Sequence, residues 1–339
     1  MASDAPPLPR HLQVEVTGAC NLRCRMCLVR YAPAVGRAEG ALSYEQFLEL
    51  VDALPALQRL TLQGLGEPLL SPHLLDMVRH AAARGVHVGF NTNGTLLSPA
   101  RARALVQAGA AHVHVSLDGA RAATYEDVRH GVAATPRPGQ FARVVANLRG
   151  LVAARRDAGS ATPYIALVFV AMRRNVEELP ELVDLAADVG VDEIWVQNLS
   201  HVFSDTDAAG RYAAMRRYAA DEALFADERA AGRALEVFAA ARARAGELGV
   251  HLRLPRLEER ETDRGPCSWP WEGAYVTHRG EVQPCCMVMG SDRATLGRLQ
   301  DDAFDAIWHG EAYRRFRRGL LDGSPPEVCA GCSVYRGVF

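Results

Sequence analysis

Lysine is missing from this chain: all 38 of its Lys+Arg residues are arginine. Arginine stays protonated and does not readily form a Schiff base. Mechanisms that run through a protein lysine, lysine-anchored pyridoxal phosphate among them, are therefore excluded. An Ala/Arg-rich, GC-rich coding sequence accounts for the absence. An excess of charge of either sign is missing too, since the net charge is −2, which gives no electrostatic case for nucleic acid or an anionic membrane as a partner. No apolar run approaches the length of a membrane span. The N-terminal stretch MASDAPPLPR lacks a signal-peptide core, so the expected compartment is the cytoplasm. Cysteine is missing from Leu28 to Pro266, and the eight cysteines fall at 20, 24 and 27 and at 267, 285, 286, 329 and 332. A secreted disulfide framework scatters its cysteines through a small chain, whereas two tight groups in a reducing compartment point to metal.

The 339 residues, 49% hydrophobic and 23% charged, suit a soluble globular protein of one large domain or a large and a small one. From residue 11 to about 255, short β-branched runs (LQVEV, RLTLQ, VHVGFN, HVHVSL, YIALVFV, EIWVQNL, VHLRL) alternate with Ala/Leu-rich amphipathic stretches, several of them ending in Gly. That alternation predicts parallel βαβ units. Polar or Gly-rich residues follow most of the runs (GACN, GLGEP, NTNG, DG, RRN, QNLSH). In a parallel barrel those are the C-terminal strand ends, where active sites gather. The long Ala/Arg/Glu-rich stretch before the last run predicts one or two solvated helices. The charged run RLEERETDRGP (256–266) breaks the alternation and predicts a domain boundary. The expected organisation is a flexible tail over 1–9, a core domain over 10–256 and a small domain over 257–339, the last too short to bury a core without staples such as metal.

CNLRCRMC (Cys20 to Cys27) gathers three thiols in one loop with spacing C-x3-C-x2-C. Thiolates are soft ligands that suit zinc or iron–sulfur clusters, and a zinc site would lack a fourth ligand in this loop. The motif, at the end of a first strand, resembles that of the radical S-adenosylmethionine (SAM) superfamily. The resemblance implies a partial (β/α)6 TIM-like barrel and a [4Fe–4S] cluster on Cys20, Cys24 and Cys27, whose open iron chelates SAM. GLGEP (Gly64 to Pro68) resembles the family's Gly-Gly-Glu motif, with Leu65 interrupting the double glycine. Gly66 and Glu67 would then receive the SAM amino group. NTNG and VSLDG look like further signatures and imply Asn93 and Ser116 near the ribose or carboxylate. Met26 stands where the family often has an aromatic residue against adenine.

The second group resembles the auxiliary-cluster extension called SPASM, and more closely its shortened twitch form. The resemblance implies one further [4Fe–4S] cluster, on Cys267, Cys285, Cys329 and Cys332, held by a β-hairpin and a returning C-terminal C-x2-C. A zinc site with the same four thiolates is the alternative. Cys286 is left over. It packs as a small hydrophobe beside the cluster, or it is a catalytic hydrogen-atom donor to a substrate radical, and the first reading is favoured. Gln197, Asn198, His201, His114, Arg173 and Asn175 are polar groups near strand ends, none assigned a role. Trp269 and Trp271 would form the small domain's core or line a substrate cavity.

The resemblance implies that SAM is cleaved reductively and that the 5′-deoxyadenosyl radical takes a hydrogen from a substrate C–H. An electron donor such as flavodoxin or ferredoxin and a two-electron oxidation through the auxiliary cluster complete the expected reaction. Relatives with this extension act on peptides, or on sugars and aminocyclitols in antibiotic pathways. With about ten residues before the first strand, the expectation is a small secondary metabolite or a short peptide. Epimerisation with Cys286 as donor is the enzymatic alternative, and a zinc-stabilised binding module the alternative of another class.

Overall fold

The computed structural model describes residues 5–31, 40–130, 138–258 and 267–339. Ten strands form one sheet: β1 His11–Val14, β2 Arg59–Leu62, β3 His87–Thr92, β4 His112–Ser116, β5 Tyr164–Val170, β6 Glu193–Gln197, β7 His251–Arg253, β8 Gly273–Val276, β9 Glu281–Gln283 and β10 Gly297–Arg298. Their order is β10-β9-β8-β1-β2-β3-β4-β5-β6-β7. Strands β1 to β7 are parallel neighbours in chain order. These are the parallel βαβ units that the alternation predicted, in the unclosed TIM-like barrel that the family resemblance implied, and each of the seven β-branched runs lies on one of its strands.

Alternation of faces builds the two sides of that sheet. Leu12, Val14, Leu60, Leu62, Val88, Phe90, Val113, Val115, Ile165 and Leu167 point outward into the main core and are almost fully buried. The helices meet them with one apolar stripe each. Leu74–Ala83 buries Leu74, Met77, Val78 and Ala81, an i, i+3, i+4, i+7 pattern. Ser43 begins the helix Tyr44–Asp52 with a full capping box. Gly190 and Gly249, at φ +81° and +68°, stop Leu179–Val189 and Glu228–Leu248 in the left-handed conformation that glycine adopts without strain. The solvated Ala/Arg/Glu stretch forms two helices, Ala213–Glu222 and Glu228–Leu248.

Three features depart from the sequence-based expectation. The described part of the tail, residues 5–9, packs against the core: Pro6 is buried, and the Trp308 indole N–H donates to the carbonyls of Pro6 (3.3 Å) and Pro7 (3.0 Å). A short helix, Ala122–Val128, follows β4 where no helical stretch was read. The small domain is not a separate body in the sheet, because β8 pairs with β1 in parallel register and carries the β9 and β10 ladders with it. Phe304, Ile307, Trp308 and Tyr313 accordingly belong to the main core. The boundary run is described only as far as Glu258, and 259–266 lie outside the described residues.

Candidate active site and auxiliary thiol cluster

The three-cysteine loop leaves β1 at the C-terminal edge of the barrel and is pinned from outside. Arg23 N donates to the His130 carbonyl and Arg25 N to the Val128 carbonyl, both at 2.8 Å, and Arg25 pairs with Asp127 at 2.5 Å. Beneath it lies a buried ion pair, Arg129 Nε to Asp118 Oδ2 at 2.6 Å. Arg129 also points Nη1 at Cys24 Sγ, 3.8 Å away. Asp118 is held in turn by the Val170 amide, so the VSLDG turn and the cluster loop share one guanidinium.

Gly66 and Glu67 are fixed for different reasons. A Cβ on Gly66 would lie 1.9 Å from the Thr17 carbonyl oxygen, so only glycine lets the second turn meet the first. Glu67, 2% exposed, accepts at Oε1 from Leu69 N and Thr92 Oγ1 and at Oε2 from Asn93 N. Asn93 donates its side-chain amide to Asn21 Oδ1 (2.9 Å) and accepts from Thr95. Both side chains thus clasp neighbouring turns together. Ser116, half-buried, makes no side-chain hydrogen bond among the described residues. Met26 packs with Val128, Met172 and Leu199.

The second group converges as well. Cys285 and Cys286 follow β9, and Cys329 and Cys332 sit on the returning C-terminal turns. Cys267, Cys285, Cys286, Cys329 and Cys332 line one cavity with the inner face of the barrel. The C-terminal turns are tied to the loop after β6 by Val202 N to Gly331 O and Ser333 N to Ser200 O, and by His201 Nε2 to Val328 O at 2.8 Å. Sequence reasoning missed this use of His201, whose pKa falls to about 4, first through burial and then through Arg293. Asn198 and Asn175 are likewise consumed by backbone groups, and Arg173 faces Asp227. Gln197, His114, Trp269 and Trp271 do face the cavity. Cys286 is half-buried and keeps surface on it.

None of the eight cysteines is in a disulfide. Burial first, then neighbouring thiols, raises the pKa of Cys285, Cys286 (to about 12) and Cys329 (to about 12). Burial likewise lifts Cys20, Cys24 (to about 12) and Cys27. Thiols crowded so out of water ionise only against a bound cation, which fits metal ligation. Among the described residues, no group of three or more His, Cys, Asp or Glu is arranged to hold a single metal ion. The soft, all-sulfur donor sets are those of iron–sulfur clusters.

Comparisons with known proteins agree. The chain matches the Radical SAM superfamily over residues 14–186 and SPASM, an iron–sulfur cluster-binding domain, over 267–333. Together these imply SAM and two [4Fe–4S] clusters as cofactors. A tungsten-containing aldehyde ferredoxin oxidoreductase cofactor-modifying protein of Pyrococcus furiosus is 32% identical over 56% of this chain, which spans about half (51%) of that relative. An AdoMet-dependent heme synthase of Methanosarcina barkeri is 27% identical over 96% of this chain and 91% of its own length. In fold, the chain is similar to Streptococcus suis SuiB bound to precursor peptide SuiA, with TM-score 0.69, 14% identity, and 97% of this chain and 71% of that one covered. Among the described residues, no helix is long and apolar enough to cross a membrane.

Proposed function

Since this chain belongs to the radical SAM superfamily, we propose that it oxidises a small-molecule or short-peptide substrate by two electrons, beginning with hydrogen abstraction from an unactivated C–H. The observation that carries this reading is the single cavity, about 1360 Å³, shared by the auxiliary cysteines and the barrel's inner face. A substrate there lies between the SAM end of the strands and an electron acceptor. When bound, the first cluster and SAM supply a 5′-deoxyadenosyl radical. Cys20, Cys24 and Cys27 would hold that cluster, and Cys267, Cys285, Cys329 and Cys332 the auxiliary one. The backbone at Gly66 and the Ser116 hydroxyl are free to receive SAM. Glu67 and Asn93 act on it by holding the two turns in register, and Met26 packs behind. The barrel walls exclude water and fix the C–H that reacts.

The proposed substrate classes are a small molecule, as the name of the similar heme synthase suggests, or a precursor peptide such as SuiB binds, together with the sugars and aminocyclitols of the sequence reading. Flavodoxin or ferredoxin is the proposed electron donor and the cytoplasm the proposed compartment. One observation keeps epimerisation as a second reading: Cys286 presents its surface to the cavity, where a thiol could return a hydrogen.

Anaerobic reconstitution tests the proposal. The protein should hold about eight irons, two cubanes' worth, and release 5′-deoxyadenosine on reduction. Replacing Cys20, Cys24 and Cys27 together should halve the iron and abolish SAM cleavage. Zinc without iron at the C-terminal set would overturn the auxiliary cluster and favour a zinc-stabilised module. In heavy water an epimerised product gains one deuterium, while an oxidised product is lighter by two hydrogens.

A further inference from the structure

The lumen of a closed parallel barrel is packed with branched apolar side chains, and its N-terminal end serves stability. This barrel differs. The lowest level of its inner face, set by strand pairing, carries His11, Arg59 and His87 on β1, β2 and β3. The next levels add His112 and His114 on β4, whose rings lie 4.9 Å apart. Space for the His112 ring exists because its partner on β3 is Gly89, where a Cβ would fall 2.5 Å from the imidazole. All five bases line the cavity.

None of the five is bonded to a carboxylate among the described residues. Arg59, exposed to the cavity, forms no ion pair or side-chain hydrogen bond among the described residues, unlike the buried Arg129 and Arg293, which sit on Asp118 and Asp205. Two side-chain carboxylates line the cavity: Glu193 on β6, level with His114 through Ala166 of β5 and acting on Tyr164, and Glu272 beside Trp271. Burial first and Arg59's charge next hold His11 and His114 to pKa values of about 4. Burial, then His114 and Arg59, holds His112 to about 3. Three of the four tryptophans, Trp195, Trp269 and Trp271, wall the same space. Trp269 packs edge-on against His11 and Trp195 against His114. One unpaired guanidinium and four imidazoles, three of them kept neutral by burial, beneath aromatic walls, make a seat of hydrogen-bond donors for an anion on a planar body.

We propose that the strand-N-terminal end of the lumen is a carboxylate subsite, seating the acid group of a planar or aromatic substrate while its reacting C–H lies at the other end. Along β4 the four steps from His112 to Ser116 span about 13 Å, so the carboxylate is remote from the radical. Binding energy gathered there would position the far end of the substrate. This rests on the cavity being the substrate site of the radical enzyme.

The test uses reconstituted holoenzyme and calorimetry. Benzene-1,3,5-tricarboxylate is titrated against benzene-1,3,5-trimethanol, and the tripeptide Gly-Trp-Gly with a free against an amidated C-terminus. The expected result is a preference of tenfold or more for the carboxylate in at least one pair, and which pair shows it tells a small acid from a peptide terminus. Arg59→Gln should reduce that preference about tenfold, and His112→Asn should move it in the same direction. Arg59 is exposed, so the fold should persist, with iron content as the check. No preference in either pair, or a preference that Arg59→Gln leaves intact, overturns the subsite. Loss of SAM cleavage in the wild-type preparation would instead overturn the radical reading, so the two fail separately.

Discussion

At the scale of single residues, the buried pair Arg129–Asp118 and the surface pair Arg25–Asp127 both brace the cluster loop, yet they differ in energy. Asp118 is fully buried and Arg129 nearly so. Removing one partner of such a pair leaves an uncompensated charge and costs about 3–5 kcal/mol. Arg25 and Asp127 are 31% and 43% exposed, where pairs contribute about 0–1 kcal/mol. Arg129→Gln should therefore lower the urea midpoint far more than Arg25→Gln, and should weaken iron retention at the first site because Cys24 loses its neighbour. Equal midpoints for the two variants would contradict the burial argument. Cys286 belongs to this scale too. If it only packs, Cys286→Ala costs about 1 kcal/mol and the product is unchanged. If it donates hydrogen, SAM cleavage continues at full iron content while the epimer disappears, which mass analysis of the product would reveal. What the sequence could show at this scale was residue type and spacing. It could not show that Glu67 spends its side chain on the Thr92–Asn93 turn, or Asn93 its side chain on Asn21 of the cluster loop, since those partners lie 25 and 72 positions away.

Among the elements, the parallel strands β1 to β6 were legible because each has a buried outer face and reads as a β-branched run, and β7, whose Leu252 is only partly buried, reads as the short run VHLRL. The longer helices were legible through their apolar period and terminal glycines. Short pieces carried no period of their own: Ala122–Val128 spans seven residues and β8 to β10 span four, three and two, and the β8–β9 hairpin was legible only through the family resemblance. The helix Glu228–Leu248 carries two interior glycines, Gly232 and Gly246, and a Cβ at either meets nothing within 4 Å. Alanine is better than glycine in a helix interior by about 1 kcal/mol. Gly232→Ala and Gly246→Ala, singly and together, should raise the thermal midpoint additively. Gly66→Ala, driven into the Thr17 carbonyl, should lower it and cost the first cluster. A scanning calorimetry series in which all three moved the same way would refute the distinction.

In the whole molecule, the point least visible in the sequence is that the two cysteine groups are joined by a continuous sheet. Composition places a boundary near residue 256, and on that view residues 1–258 would form an autonomous barrel. The register argues otherwise. All four residues of β1 pair with β8 on one side and β2 on the other, so without β8 the first strand becomes a bare edge beside the cluster loop. The C-terminal part also supplies Trp308 and Tyr313, both fully buried in the main core, and Val338, whose carbonyl accepts from Asn198 at the end of β6. Each large aromatic removed from a core costs about 3–5 kcal/mol, and a domain's entire stability is about 5–15 kcal/mol. The 1–258 fragment should therefore be largely unfolded, sensitive to protease throughout and unable to retain iron at Cys20, Cys24 and Cys27. The full chain with Cys267, Cys285, Cys329 and Cys332 replaced by Ala keeps the sheet and should hold about four irons. A fragment that held four irons and still cleaved SAM would show that the first site is independent of β8 and would restore the two-body organisation the composition implied.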